Sequence, residues 1–253
     1  MREPIRRNLT RALAQRLLGA TAFLMLGLAC ASEGLRVSLP VSELPRVGPY
    51  MNVATVLDTR SFTTASNRAP VPSLRGDPMS ASLTERVVGR WLAPSGRLGS
   101  NVLLEPPQSV PALVGRAIVF GLRTAGYRAV GENPSVTGPA VDLHATVSEF
   151  WIYQRPHGAL AYRARIILSG SLLPLRGGRI IEINGSVSAG TVDGVLWRRA
   201  VERCLEMIAE EVSRSVGHPI DTWRDTTTRS TIEPTPFPTP LPTPSPTPPK
   251  EAS

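Results

Sequence analysis

The chain has 253 residues, 42% of them hydrophobic, and a formal net charge of +8. Arg2, Arg6, Arg7, Arg11 and Arg16 against Glu3 supply half of that charge, and the rest is spread along the chain without a dense basic run or an aromatic platform motif, which argues against a nucleic-acid binder. Two cysteines, Cys30 and Cys204, are too few for a disulfide framework or a cysteine-based zinc site.

Residues 1–16 form a basic n-region, and the stretch LLGATAFLMLGLACA from Leu17 to Ala31 is apolar and closes on small side chains. It is shorter than the ~20 apolar residues that usually span a bilayer, so it reads as an export signal. Two cleavages fit its end. Ala29-Cys30 resembles the end of a bacterial lipobox, giving a signal peptide over 1–29 and a lipidated Cys30 at the new N-terminus. Gly27 and Leu28 depart from the residue types usual at those two positions of a lipobox. The triplet Ala29-Cys30-Ala31 is also an A-x-A site, whose use releases a chain starting at Ser32. On the first reading, acyl chains contribute about 0.8 kcal/mol per buried methylene and tether the protein to a membrane. Ala31, rather than aspartate, after the cysteine is similar to lipoproteins sorted to the outer membrane.

Residues 30–50 read as a lipidated tether, with Leu35, Val37 and Leu39 alternating as in an edge strand. An α+β domain is expected over 51–217. NVATVLDT at 52–59 is β-branched and apolar, as a first core strand should be. Residues 61–107 lose all clear period apart from SLTERVVGRWL at 82–92, and read as an irregular insertion anchored by Trp91.

A helix is predicted from Ser109 or Val110 to Ala125, with Ser109 as cap, Pro111 in the first turn and Gly126 as stop. Its apolar face is Val110, Leu113, Val114, Ala117, Ile118, Gly121 and Leu122; Arg116 and Arg123 lie off it and read as solvating charges. A short strand at 127–130 precedes three long ones at 141–153, 159–173 and 179–190. In the first of these the apolar phase slips from Val147 to Phe150, which predicts a bulge near Ser148–Glu149. Turns at 155–158 and 174–178 join the three as antiparallel hairpins. Each strand has one apolar and one polar face, the pattern of a sheet covered on one side. A second helix is predicted over 195–216, capped by Asp193 and stopped by Gly217, with Trp197, Val201, Cys204, Leu205, Ile208, Val212 and Val216 as its buried stripe and a Glu210–Arg214 pair outside. The expected fold is a two-layer α+β sandwich: a mostly antiparallel sheet with two amphipathic helices on one face, in the order β-α-β-β-β-β-α.

From residue 218 to 253 the composition turns polar and then Thr/Pro-rich, as a disordered tail does. Alternating proline over 233–249 favours a polyproline II rod that could reach about 50 Å at ~3.1 Å per residue.

SVPALVGRAIVFGLRTAGYRAV, GPAVDLHATVSEFWIYQ and YRARIILSGSLL together resemble the YajG-type bacterial envelope lipoproteins, in which a helix ending in Gly-Tyr precedes a long strand led by Gly-Pro. RVSLPVSELP and the Asp58-Thr59-Arg60 strand end are similar to that family's opening segment. The resemblance spans roughly residues 30–217. It implies an envelope lipoprotein with an α/β domain and no established chemistry, so it supplies no catalytic residues. The 61–107 insertion and the Pro-Thr tail depart from it.

Candidate chemistry is sparse. His144, His157 and His218 show no ligand spacing, and no nucleophile elbow, phosphate loop or H-E-x-x-H occurs. Asp58 and Arg60 read as a local pair at a strand end, and Cys204 as a small hydrophobe on an apolar stripe. The expectation is therefore a non-catalytic cell-envelope lipoprotein, periplasm-facing and anchored at the outer membrane through Cys30. It would act as an accessory or assembly factor by contacting an envelope protein, needing no cofactor or metal. Arg163, Arg165, Glu182 and Asn184 on the polar sheet face are the candidate partner surface, and an edge strand could accept a partner by strand addition. The alternative is a periplasmic carrier of a small apolar ligand or lipid held between helices and sheet.

Overall fold

A computed structural model describes residues 34–40, 48–64, 68–75, 80–93, 95–131, 141–171, 175 and 177–217. The export segment, Cys30, His218 and the Thr/Pro-rich tail lie outside these residues, as do residues 174 and 176 of the turn expected at 174–178. The chain divides into two units, Met1–Pro219 and Ile220–Ser253, and every described element belongs to the first.

The elements run β1 (Tyr50–Asp58), α1 (Ala81–Thr84), β2 (Val87–Leu92), β3 (Leu98–Leu103), α2 (Val110–Thr124), β4 (Arg128–Val130), β5 (Val141–Arg155), β6 (Ala159–Gly170), β7 (Arg179–Ser188) and α3 (Gly194–Val216). They form an α+β sandwich in which α2 and α3 cover one face of a seven-stranded sheet. Both helices are set by the predicted signals. The Ser109 side chain accepts from the Ala112 N–H, and Gly126 takes a φ of +95° that a side chain would resist. Asp193 Oδ1 accepts from the Leu196 N–H at 2.8 Å. The apolar face predicted for each helix is buried, and the two helices meet where Gly121 lies against Ala209 and Val212. Among the described residues no helix is long and apolar enough to cross a membrane.

The long hairpins also follow the sequence. β5 pairs antiparallel with β6, and β6 with β7. The register shifts between Val147 and Glu149, so the bulge falls where the apolar phase slips. His157 and Gly158, at φ +65° and +72°, make the turn from β5 into β6.

Three expectations are corrected. The order has three further elements, because α1, β2 and β3 lie within the stretch read as irregular. β2 hides in the sequence because it does not alternate: Val87, Val88, Gly89 and Arg90 are all buried. Val87 faces a small outer cluster and Val88 the main core. Gly89 passes so close to the Ile152 carbonyl and the Trp197 ring that no Cβ fits. Arg90, only 8% exposed, donates to the carbonyls of Leu98 and Gly99 and to Ser73 Oγ, so the buried guanidinium is satisfied.

The sheet is also more mixed than expected. β1 runs parallel to both its neighbours, β4 and β5, and β2 is parallel to β5 at Gly89↔Ile152. β1 and β2 follow one another along the same edge of β5, with β6 on its other edge.

The outer face, lastly, is covered in part. Trp151 is buried there with Leu74 and Val87, and Phe62 stands edge-on to it at 6.2 Å. Trp151 Nε1 donates to the Ala69 carbonyl at 3.0 Å. Part of the segment read as an insertion is thus packed over the sheet. The tether also contributes at its C-terminal end, since Leu35 and Val37 are buried in the main core and Leu35 bridges to Leu104.

Candidate functional site

The sheet register brings the four candidate partner residues together on the outer face: Arg163 lies opposite Asn184, and Arg165 opposite Glu182. Their charges are largely answered within the protein. Arg165 Nε is 3.3 Å from Glu182 Oε1, and Arg163 Nη2 is 2.9 Å from Glu149 Oε1. Arg163 also donates to the Pro70 carbonyl at 2.7 Å and lies over the Tyr153 ring. The patch is therefore a self-neutralising polar surface flanked by the packed segment at 69–70, and half-exposed pairs of this kind contribute little energy.

Asp58 and Arg60 form a local pair, as expected, but a buried one whose guanidinium also serves three backbone carbonyls. That arrangement ties strands together. Cys204 is fully buried on the α3 stripe, and burial pushes its thiol pKa well up, away from the thiolate a nucleophile needs. His144 is exposed on β5 opposite Ser169, and His157 sits in the β5–β6 turn. Among the described residues no group of three or more His, Cys, Asp or Glu stands close enough to hold a metal ion. The pair expected between Glu210 and Arg214 is not formed: Arg214 bonds Glu211, and Glu210 bonds Arg203 at 3.4 Å.

The carrier alternative expects a cavity between helices and sheet, but none of the residues lining the helix-side groove was singled out for it in the sequence. A cavity of about 320 Å³ lies between α2 and β1. Val53 and Val56 of β1 form its floor, and Pro111, Ala112, Gly115, Val119 and Phe120 of α2 form its wall. Leu39 and Pro40 close one side, Gly131 another, and Arg116 and Arg123 complete the lining. Local chain geometry produces it. β1 shifts register between Val53 and Thr55, which keeps both Val53 and Val56 on the helix side. Gly115 has no side chain to occupy the space above Val56. β4 pairs only with Tyr50–Asn52, so among the described residues no strand continues along β1 beneath the groove.

The two arginines differ. Arg123 Nε donates to the Ala129 carbonyl at 2.9 Å and is held in the α2–β4 corner. Arg116 is exposed at the rim. The sequence did contain a signal for this site. Ala112, Val119 and Phe120 are apolar yet lie off the core stripe, so α2 is apolar on more of its circumference than one buried face requires.

No protein-family model matches the sequence, and no curated protein matches it. Among solved structures, the chain is similar to a Xanthomonas campestris protein of the DUF330 family. The two are 12% identical, with 77% of this chain and 97% of that chain covered and a TM-score of 0.43. A second similar structure, of an uncharacterized protein, is 12% identical over 67% of this chain and 95% of that one, with a TM-score of 0.40. Neither assigns a role to any residue of this chain.

Proposed function

We propose that this chain is a non-catalytic cell-envelope lipoprotein, tethered through a lipidated Cys30 on the periplasmic side of the outer membrane, that acts as an accessory or assembly factor through protein contacts. The observation that carries the reading is two open strand edges: among the described residues, β1 has a partner on one side only after Asn52, and β7 is paired only with β6. Open edges present rows of unpaired backbone groups and are ready templates for another chain. Exposed apolar side chains accompany both, Leu57 on β1 and Ile180 on β7. The export signal ending at Cys30 and the YajG-like order of elements support the placement in the envelope.

The test is metabolic labelling of the native host with a palmitate analogue, comparing wild type with Cys30→Ala, followed by crosslinking and recovery of partners. The reading expects label on the wild type, none on the variant, and a reproducible crosslinked envelope protein. An unlabelled protein starting at Ser32 would remove the anchor. Failure to recover any reproducible partner would remove the accessory role.

The groove favours a second reading, a periplasmic carrier of a small apolar ligand. Its volume falls at the lower end of the ~300–1,000 Å³ typical of ligand pockets, and its lining is mostly apolar. Native mass spectra of the purified protein would decide: a co-purifying small molecule supports the carrier, and clean spectra count against it.

A further inference from the structure

Among the described residues, β1 and α2 together frame a stretch of sheet edge with no strand beside it. β4 ends at Val130 after pairing with Tyr50–Asn52, while β1 continues to Asp58 with its other edge held by β5 through Asp58↔Val147. From Val53 to Asp58 the outer edge of β1 therefore has no strand beside it among the described residues. The apolar groove lies directly along this stretch, with Val53 and Val56 contributing to both.

We propose that this place takes up an extended peptide segment of a partner protein, apolar at alternate positions and carrying a carboxylate opposite Arg116. The inference rests on the accessory function proposed above and names its contact surface.

Three features of the place select this occupant. The first is the backbone. A strand edge is satisfied by ladder hydrogen bonds, which a peptide supplies and a hydrocarbon does not. The second is span and period. Six residues at about 3.3 Å each give roughly 20 Å of edge, room for a peptide of about six residues that turns alternate side chains toward α2. Gly115, Val119 and Phe120 bound the space those side chains enter. The third is charge. Arg116 is exposed and makes no ion pair or hydrogen bond among the described residues, and no acidic side chain described there lines the groove. A rim cation without a local counter-charge favours an anionic partner. The edge of β7 lacks this combination: α3 packs on its inner face, and its outer face carries Glu182 and Asn184.

The test starts from the purified full-length protein, panned against a phage library of random decapeptides. Enriched sequences are synthesised and titrated while hydrogen exchange is followed by mass spectrometry. The expected result is a consensus alternating apolar residues with polar ones and including Asp or Glu, with bound peptide slowing exchange over Val53–Asp58 and leaving Arg179–Ser188 unchanged. Arg116→Glu, an exposed change that should leave the melting temperature in place, is expected to weaken the acidic peptides at least tenfold and favour versions with Lys in place of the acid. A Val119→Glu variant, which puts an acid inside the groove, should weaken the same peptides. No enrichment, protection on β7 instead of β1, protection of Val53–Asp58 already complete without peptide, or unchanged affinity in Arg116→Glu would each overturn the proposal. So would saturable binding of dodecyl phosphate in the groove with no peptide binding, which marks a small-molecule site. An envelope partner that crosslinks only through β7 or the Arg165–Glu182 face would sink this inference while leaving the accessory function standing. Loss of the lipid label, with peptide still bound along β1, would do the reverse.

Discussion

Arg60 turns back on Asp58, two residues earlier, so that its Nη2 lies 2.8 Å from Asp58 Oδ2, with the arginine side chain 2% exposed. The remaining donors reach forward to the carbonyls of Thr84 at 2.6 Å, Val87 at 2.8 Å and Phe150 at 3.4 Å. The pair stands where β1 leaves the edge of β5 and β2 takes it up, close to the β5 bulge. A single guanidinium thus fills the donor positions that a continuous strand would have supplied. Its planar fork suits this, since no ammonium could serve four separate partners at these angles.

Arg60→Ala leaves the largely buried Asp58 carboxylate with only the residue-60 backbone N–H, and strips the three carbonyls of the guanidinium donors. Removing one partner of a buried pair typically costs about 3–5 kcal/mol. Chemical denaturation should show a loss of that size, and Arg60→Lys should recover less than half of it. A loss below about 1 kcal/mol in Arg60→Ala would mean that the carbonyls are satisfied some other way.

The fold is legible in the sequence where one face decides everything. The stripes from Val110 to Leu122 and from Trp197 to Val216 meet a single core, so the helical period survives intact. Leu160, Tyr162, Ala164, Ile166 and Leu168 alternate cleanly because β6 has one apolar and one wet face over most of its length. The reading failed where both faces are covered or where a side chain's role depends on distant partners. Val87-Val88-Gly89-Arg90 is buried on both sides and shows no alternation, and the partners that satisfy Arg90, at Leu98, Gly99 and Ser73, lie outside any local pattern. The lining of the groove escaped notice for a related reason. It is made by the early end of β4 and the missing side chain of Gly115, neither of which leaves a period in the sequence.

Ile208 lies on the α3 stripe with no exposed surface. Ile208→Asp would bury a carboxylate among apolar neighbours with no described cation to pair with it. The expected cost is several kcal/mol, above about 4, enough to unfold a marginal domain. Far-UV circular dichroism during thermal melting checks it. A shift of only a degree or two would show that the helix can roll this face out to solvent.

Trp151 tests whether the segment at 62–75 belongs to the domain. Its ring is buried beneath that segment, beside Phe62 and Leu74, and its Nε1 reaches Ala69. Trp151→Ala should cost about 3–5 kcal/mol, as other large aromatic truncations do. Limited proteolysis should also cut within 62–75 many times faster in the variant, while cleavage in α2 changes only in step with global stability. Equal acceleration at both places would mean that the outer cluster and the main core unfold together.

Cys204 gives the fold a pH dependence of definite sign. Burial raises the folded-state pKa of its thiol, whereas the unfolded chain ionises near the ordinary cysteine value of about 8.5. Between the two, the unfolded chain has lost a proton that the folded chain keeps, so stability falls as pH rises. The contribution is fully present below about pH 8.5 and declines above it, with a slope of up to about 1.4 kcal/mol per pH unit. Tyr162, whose pKa is raised mainly by burial and next by neighbouring Cys204, adds a decline of the same sign only above about pH 10. Denaturation curves taken between about pH 8.5 and 10 therefore isolate the thiol. Cys204→Ala should be less stable at pH 7, because it leaves a small cavity on the α3 stripe, yet its stability should stay level across that window where the wild type declines. A wild-type curve that is flat there would mean that the thiolate is accommodated in the folded state, and the burial of Cys204 on the α3 stripe would need revision.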